Sequence, residues 1–174
     1  MVFFTSDNGS PQRPDGNLPL RGFKASIWEG GYREPGIAWW PGKIKAGSYS
    51  PDALVATYDI FPTVLALAGV AFPKVVLDGI DISHLLLSAT PETEEAHDCI
   101  MFYKHPESQL GAAGAAQLDS LSAVRCGDYK AYWFIDGEST TPLPEGIVLV
   151  RRRRFSCLGS VSSFVCVASW LSVV

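Results

Sequence analysis

Cysteine is scarce and unpatterned in this chain. Cys99, Cys126, Cys157 and Cys166 form no Cys-x-x-Cys pair, so neither a zinc ribbon nor a dense disulfide scaffold is encoded, and the redox compartment stays open. Histidine is scarcer still. His84, His97 and His105 stand alone without metal-ligand spacing, and each reads as a structural residue. Charge is thin, at 18% of residues with a formal net charge of −4. The basic residues are scattered except at Arg151-Arg152-Arg153-Arg154, which excludes a surface built for nucleic-acid phosphates. No basic segment followed by a long apolar run and a small-residue cleavage site opens the chain, so no secretory signal is visible.

What is present is enough for one respectable core: 174 residues, 47% of them hydrophobic. Met1-Val2-Phe3-Phe4-Thr5 reads as a buried strand ended by Ser-Asp-Asn-Gly turn chemistry. A chain that opens inside a core strand is expected to have lost what preceded it. Residues 9–22, rich in Pro, Gly, Asn and Asp, have the composition of a surface loop. Gly36-Ile37-Ala38-Trp39-Trp40 reads as a second buried strand. A helix is expected over 59–68, with Pro62 in its first turn, an apolar face from Val64, Leu65, Leu67 and Ala68, and Gly69 as its C-cap. A shorter helix fits 82–87, capped by Asp81 or Ser83. After a polar, acidic connection over 90–98, strands are expected at 100–103, 120–124 and 129–135, the last two joined by a turn at Arg125-Cys126-Gly127-Asp128. Strand, helix and then strands without helices predict an α/β layer followed by a small antiparallel sheet.

The tail differs in kind. Residues 155–174 are twenty positions without a charge, six of them serine, directly after the four arginines. The length would just span a bilayer with a basic flank. The serines and β-formers fit translation past the end of a domain equally well, and such a segment is aggregation-prone when exposed.

Asp7 and Asn8 sit where a strand ends and a loop begins. A carboxylate beside a carboxamide offers two hard oxygens to a divalent cation, yet Asp-Asn-Gly is also an ordinary turn. The next segment decides between them. Leu20-Arg21-Gly22-Phe23-Lys24-Ala25-Ser26-Ile27-Trp28-Glu29-Gly30-Gly31-Tyr32-Arg33-Glu34-Pro35-Gly36 lies between Phe3-Phe4-Thr5-Ser6-Asp7-Asn8-Gly9 and Ala38-Trp39-Trp40-Pro41-Gly42. In this order these motifs closely resemble the sulfatase family, and within it the animal branch of arylsulfatase A and N-acetylgalactosamine sulfatase. The resemblance continues through Asp59-Ile60-Phe61-Pro62-Thr63, Leu67-Ala68-Gly69 and Asp78-Gly79-Ile80-Asp81-Ile82-Ser83, and more loosely through Ala123-Val124-Arg125 and Tyr129-Lys130-Ala131.

The resemblance implies part of an alkaline-phosphatase-like mixed sheet with helices, followed by a small antiparallel sheet and truncated at the N-terminus. It implies metal ligation by Asp7 and Asn8, with calcium the expected ion and magnesium the alternative, and a sulfate contact by Lys24. A cation and an ammonium group together would neutralise the non-bridging sulfate oxygens. Glu29 and Arg33 read as structural, a pair that could hold the Gly30-Gly31 turn. The family's nucleophile is a formylglycine made from the cysteine of Cys-x-Pro-Ser-Arg, and that signature is absent here, as are the family's early aspartate ligands. The expected division is 1–90 as the end of a catalytic α/β domain, 91–140 as the start of the antiparallel subdomain, and 141–174 as a tail outside the family. The expected function is a fragment of a sulfuric ester hydrolase, inactive alone, whose parent acts on a sulfated sugar or lipid in the lysosome or outside the cell. One rival is a non-catalytic membrane-associated or partner-binding remnant, with the membrane reached only through 155–174. The other, a phosphate-ester hydrolase of the wider superfamily, is disfavoured by the segment from Lys24 to Pro35.

Overall fold

The computed structural model describes residues 1–11, 16–50, 52–91, 96–104, 120–132, 148–151 and 165–172. They form two compact units whose segments interleave along the chain. The first holds Met1–Asn8, Arg33–Asp98 and one late strand; the second holds Gly9–Tyr32 and the four strands of an antiparallel sheet.

In the first unit, strands β1 (Val2–Phe4), β2 (Glu34–Trp39), β3 (Leu54–Ala56) and β8 (Val165–Ser172) make a sheet of order β1-β2-β8-β3. β1 pairs antiparallel with β2, β2 antiparallel with β8, and β3 parallel with β8, so the sheet is mixed. Phe3 lies opposite Ala38 and packs against a core of Ala38, Ile44, Ala53, Val55, Ile82, Leu85 and Leu86. The period-two alternation of a strand sends its neighbours the other way. Val2 and Phe4 are 52% and 60% exposed. The strands read as buried are thus covered on one face, with alternate residues of β1 and β2 buried or partly buried and the rest more exposed.

The expected helix is present as a 3-10 turn over Thr57–Asp59 running into α2 (Ile60–Ala68). Pro62, whose missing N–H costs nothing in a first turn, is buried there. Gly69 ends the helix at φ 67°, and Val70 N donates to Leu65 O at 2.9 Å. The buried side of α2 is Pro62 and Thr63. Val64 and Phe61 are exposed, so the apolar face read from sequence is only partly covered. The short helix α3 (Ser83–Leu87) follows, and Asp81 Oδ1 accepts the Ser83 N–H at 2.8 Å just before it. β8 falls inside the uncharged tail, so the described part of that tail is strand. Among the described residues no helix is long and apolar enough to cross a membrane.

A carboxylate fastens this unit. Asp59 is wholly buried and accepts the Ala56 N–H at 2.7 Å and the Ile80 N–H at 2.9 Å. His97 Nε2 lies 2.8 Å from the same Asp59, and Thr63 Oγ1 accepts the Ile82 N–H at 3.0 Å. His97 is thus structural as expected, with a defined partner.

The second unit is built on β4 (Cys99–Lys104), β5 (Ser120–Cys126), β6 (Tyr129–Tyr132) and β7 (Val148–Arg151), each antiparallel to the next. β5 extends to Cys126, and the β5–β6 turn is only Gly127 and Asp128, with Gly127 at φ 51°. Cys99 and Cys126 face each other across β4 and β5 and are joined by a disulfide, a pairing that cysteine spacing alone left open. β7 places Arg151, the first of the four arginines, in this sheet opposite Tyr129.

Removing the buried Asp59 carboxylate would take the acceptor from the buried Ala56 N–H and from the partly buried Ile80 N–H and His97. Asp59→Ala is expected to cost about 3 kcal/mol of stability, with Asp59→Asn recovering part of it, because an acceptor lost from buried donors carries their desolvation penalty. Chemical denaturation of the two variants checks this; a loss under about 1 kcal/mol in Asp59→Ala would show that the carboxylate does not hold the unit together.

Candidate metal and sulfate-contact residues

At the end of β1 the chain bends through Ser6 and Asp7. Ser6 Oγ donates to Asn8 O at 2.8 Å, an intraloop bond that fixes the local backbone. Asp7 is exposed and Asn8 half-buried. A second acidic residue belongs to this environment. Glu34 opens β2, is only 8% exposed, and leaves Oε1 without a protein partner. Burial pushes its carboxyl up to about 7; a hydrogen bond with Ser6 opposes the rise and the Asp7 charge adds to it. Sequence reading named Glu34 only as part of a motif. The signal was available, because Glu34, Gly36 and Ala38 occupy the inward positions of an alternating strand.

The donor chemistry suits a hard cation: a carboxylate, a carboxamide, and a buried carboxyl oxygen that lacks a partner. The number of donors is small. Among the described residues no three His, Cys, Asp or Glu side chains converge to hold a metal ion.

Lys24 belongs to the second unit. It is exposed at the corner of a turn in which Ser26 N donates to Phe23 O at 3.0 Å and Phe23 N to Ser26 Oγ at 3.1 Å. Ala25 follows at φ 72°, the left-handed conformation that a type II turn requires and that alanine adopts at a cost. Lys24 N donates to Ser10 O at 3.0 Å. Behind the turn, Gly30 N donates to Arg21 O at 2.7 Å and Gly31 N to Trp28 O at 2.9 Å. A Cβ at Gly30 would run into the Gly22 carbonyl oxygen, and one at Gly31 into that of Ser26, which explains the paired glycines of the motif.

The helical turn α1 (Glu29–Tyr32) carries this loop to the sheet. Glu29 Oε1 lies 3.1 Å from an Arg125 guanidinium nitrogen and 3.2 Å from Lys130 Nζ. Lys130 is wholly buried, donates to Ile27 O at 2.8 Å, and stands 3.4 Å from the centre of the Phe102 ring. Burial draws its ammonium down to about 8, partly opposed by Glu29. Sequence reading offered Arg33 as a partner for Glu29; the partners described here come from the antiparallel sheet. Arg21 stacks on Trp28 at 3.8 Å, and Trp28 packs against Tyr132 with ring centres 4.7 Å apart. His84 lies in α3, and His105 lies outside the described residues.

Residues 1–70 match the protein-family model described as Sulfatase. Residues 1–70 belong to the sulfatase family. The likeness extends past this sulfatase segment. Arylsulfatase A from Bos taurus is 37% identical over 141 residues, covering 79% of this chain and 25% of that protein. N-acetylgalactosamine-6-sulfatase from Canis lupus familiaris is 38% identical over 152 residues, 84% of this chain and 26% of that protein. The crystal structure of the PsFucS1 sulfatase from Pseudoalteromonas sp. superposes with a TM-score of 0.61 at 31% identity, over 87% of this chain and 28% of that one. The chain thus spans about a quarter of the length of the curated relatives it matches. Its fold is part of the alkaline-phosphatase-like sulfatase architecture.

The raised carboxyl of Glu34 has a pH consequence. In the folded chain it holds its proton up to about 7, whereas the unfolded chain releases it near the ordinary 4.5. The folded state therefore binds more protons in that window, and stability falls as pH rises through it. Glu34→Gln should flatten this fall. Urea midpoints at about pH 5 and about pH 8 test it; equal pH slopes for the two proteins would reject a buried, raised carboxyl.

Proposed function

We propose that this chain supplies the later metal ligands and the sulfate contact of a sulfuric ester hydrolase and does not hydrolyse sulfate esters by itself. The observation that carries the reading is the Asp7-Asn8 strand end, followed by the Lys24 turn, within a segment of sulfatase sequence. Asp7 and Asn8 would hold the ion through a carboxylate and a carboxamide oxygen. Calcium suits such donors and magnesium is the alternative. A bound divalent cation would supply neutralisation of the non-bridging sulfate oxygens. Lys24 would contribute a second positive charge for the same oxygens. Two ligands from a shell of about six oxygens leave water to supply the rest, so metal binding by this chain is weak.

No residue of the chain is assigned to attack sulfur, because the Cys-x-Pro-Ser-Arg signature is missing. Deleting the nucleophile removes the covalent step that the ion and Lys24 would assist. The substrate class is a sulfate ester of a sugar or lipid, by analogy with relatives whose names specify N-acetylgalactosamine-6-sulfate or aryl sulfate chemistry. A lysosomal or secreted location accords with the Cys99–Cys126 disulfide, since such bonds persist where thiols are not kept reduced.

Purified chain is expected to show no turnover of a chromogenic aryl sulfate above a Lys24→Ala control, and weak calcium binding by calorimetry that Asp7→Ala abolishes. Turnover that Lys24→Ala removes would overturn the assignment of inactivity. Calcium binding unchanged in Asp7→Ala would overturn the ligand assignment.

A further inference from the structure

The loop that carries Lys24 is organised around one side chain. Asn17 Oδ1 accepts the Ser10 N–H at 2.8 Å, while Asn17 Nδ2 donates to Ser10 O at 3.2 Å and to Gly22 O at 3.0 Å. The Lys24 N–H donates to the same Ser10 oxygen at 3.0 Å. The carboxamide thus holds Gly22, two positions before Lys24, and Ser10, the acceptor for Lys24 itself. Leu20 N donates to Asn17 O at 2.7 Å, so the backbone of Asn17 is held as well.

The chemistry of these bonds selects the residue. A carboxamide offers an acceptor and two donors from one planar group. Aspartate keeps the acceptor and loses both donors, and an apolar side chain loses all three. On the far side of the lysine, Ala25 occupies a left-handed conformation that is unfavourable for a non-glycine residue and persists only where the surroundings impose it. The turn around it is closed by the Ser26 N–H on Phe23 O and the Phe23 N–H on the Ser26 hydroxyl, and the Asn17 clamp holds Ser10 and Gly22 beside it.

We propose that Asn17 is a positioning residue that sets the Lys24 turn and thereby aims its ammonium group; the purpose of this aiming rests on the reading of Lys24 as the sulfate contact. Asn17 itself touches no substrate. It acts through Ser10 and Gly22.

Two measurements on the whole chain decide this separately. In native-state amide hydrogen exchange, Asn17→Ala is expected to speed exchange of the Lys24 amide by about tenfold or more while amides of the β4–β5 ladder keep their protection. Unchanged exchange at Lys24, or equal acceleration across the ladder, would overturn the proposal. Should Asn17→Ala fail to fold, Asn17→Asp decides: the Ser10 amide should stay protected through the surviving acceptor while the Lys24 amide loses protection, and protection of both would overturn it. Titration with inorganic sulfate, followed by NMR, supplies the readout that a merely structural residue would not give. Asn17→Ala should weaken binding about fivefold, and the double variant with Lys24→Ala should bind no more weakly than Lys24→Ala alone, because both changes remove one interaction. Full additivity would overturn the coupling. A Lys24→Ala chain that binds sulfate as well as the unmodified one would reject the sulfate role of Lys24, and the exchange result would still decide the clamp.

Discussion

Arg125 and Lys130 stand directly opposite each other across β5 and β6, and both are buried. Two cations so placed repel, and burial removes the water that would screen them. The Glu29 carboxylate, separated from Lys130 by 101 residues of chain, is the anion that makes the pairing tolerable. Burial lowers the Lys130 ammonium, and Glu29 opposes that shift while the Arg125 charge adds to it. The loop bearing Lys24 therefore cannot part from the sheet without taking the Glu29 carboxylate away from two buried cations, a larger cost than losing an exposed ion pair. The tight glycine packing, the Arg21–Trp28 stack and the Lys24 turn all lie on the Glu29 side of that attachment.

Much of this could be read from the residues. The β1 run, the α2 helix with Pro62 and Gly69 at its ends, and the β5–β6 hairpin each carry a local signature of one or two residues with defined backbone preferences, and each is present. Coverage was less legible. An apolar strand announces that it can be buried, but not on how many sides, and β1, β2 and α2 turn out to be covered on one. The pairings that depend on distant register were invisible for a different reason. Nothing near Cys99 points to Cys126, nothing near Asp59 points to His97, and nothing near Glu29 points to Arg125; each is made by topology.

The candidate site shows the same division. Asp7, Asn8 and Lys24 are proposed from motif order, which depends on chemistry at single positions. Glu34 and Asn17 were passed over because their importance lies in their surroundings: a buried oxygen without a partner in one case, three converging backbone groups in the other. A composition that reads as featureless loop over residues 9–22 contains an ordered hydrogen-bond centre, since the polar side chains that favour turns also bond to backbone.

The disulfide has a consequence beyond cross-linking. Side chains alternate along a strand, so a slip of one residue between β4 and β5 would turn Arg125 to the opposite face of the sheet and away from Glu29. A bond between two directly opposed residues forbids that slip by connectivity. The alignment of the buried cations is thereby inherited from an oxidation event, and in a reducing compartment the same chain would have to recover it from packing alone.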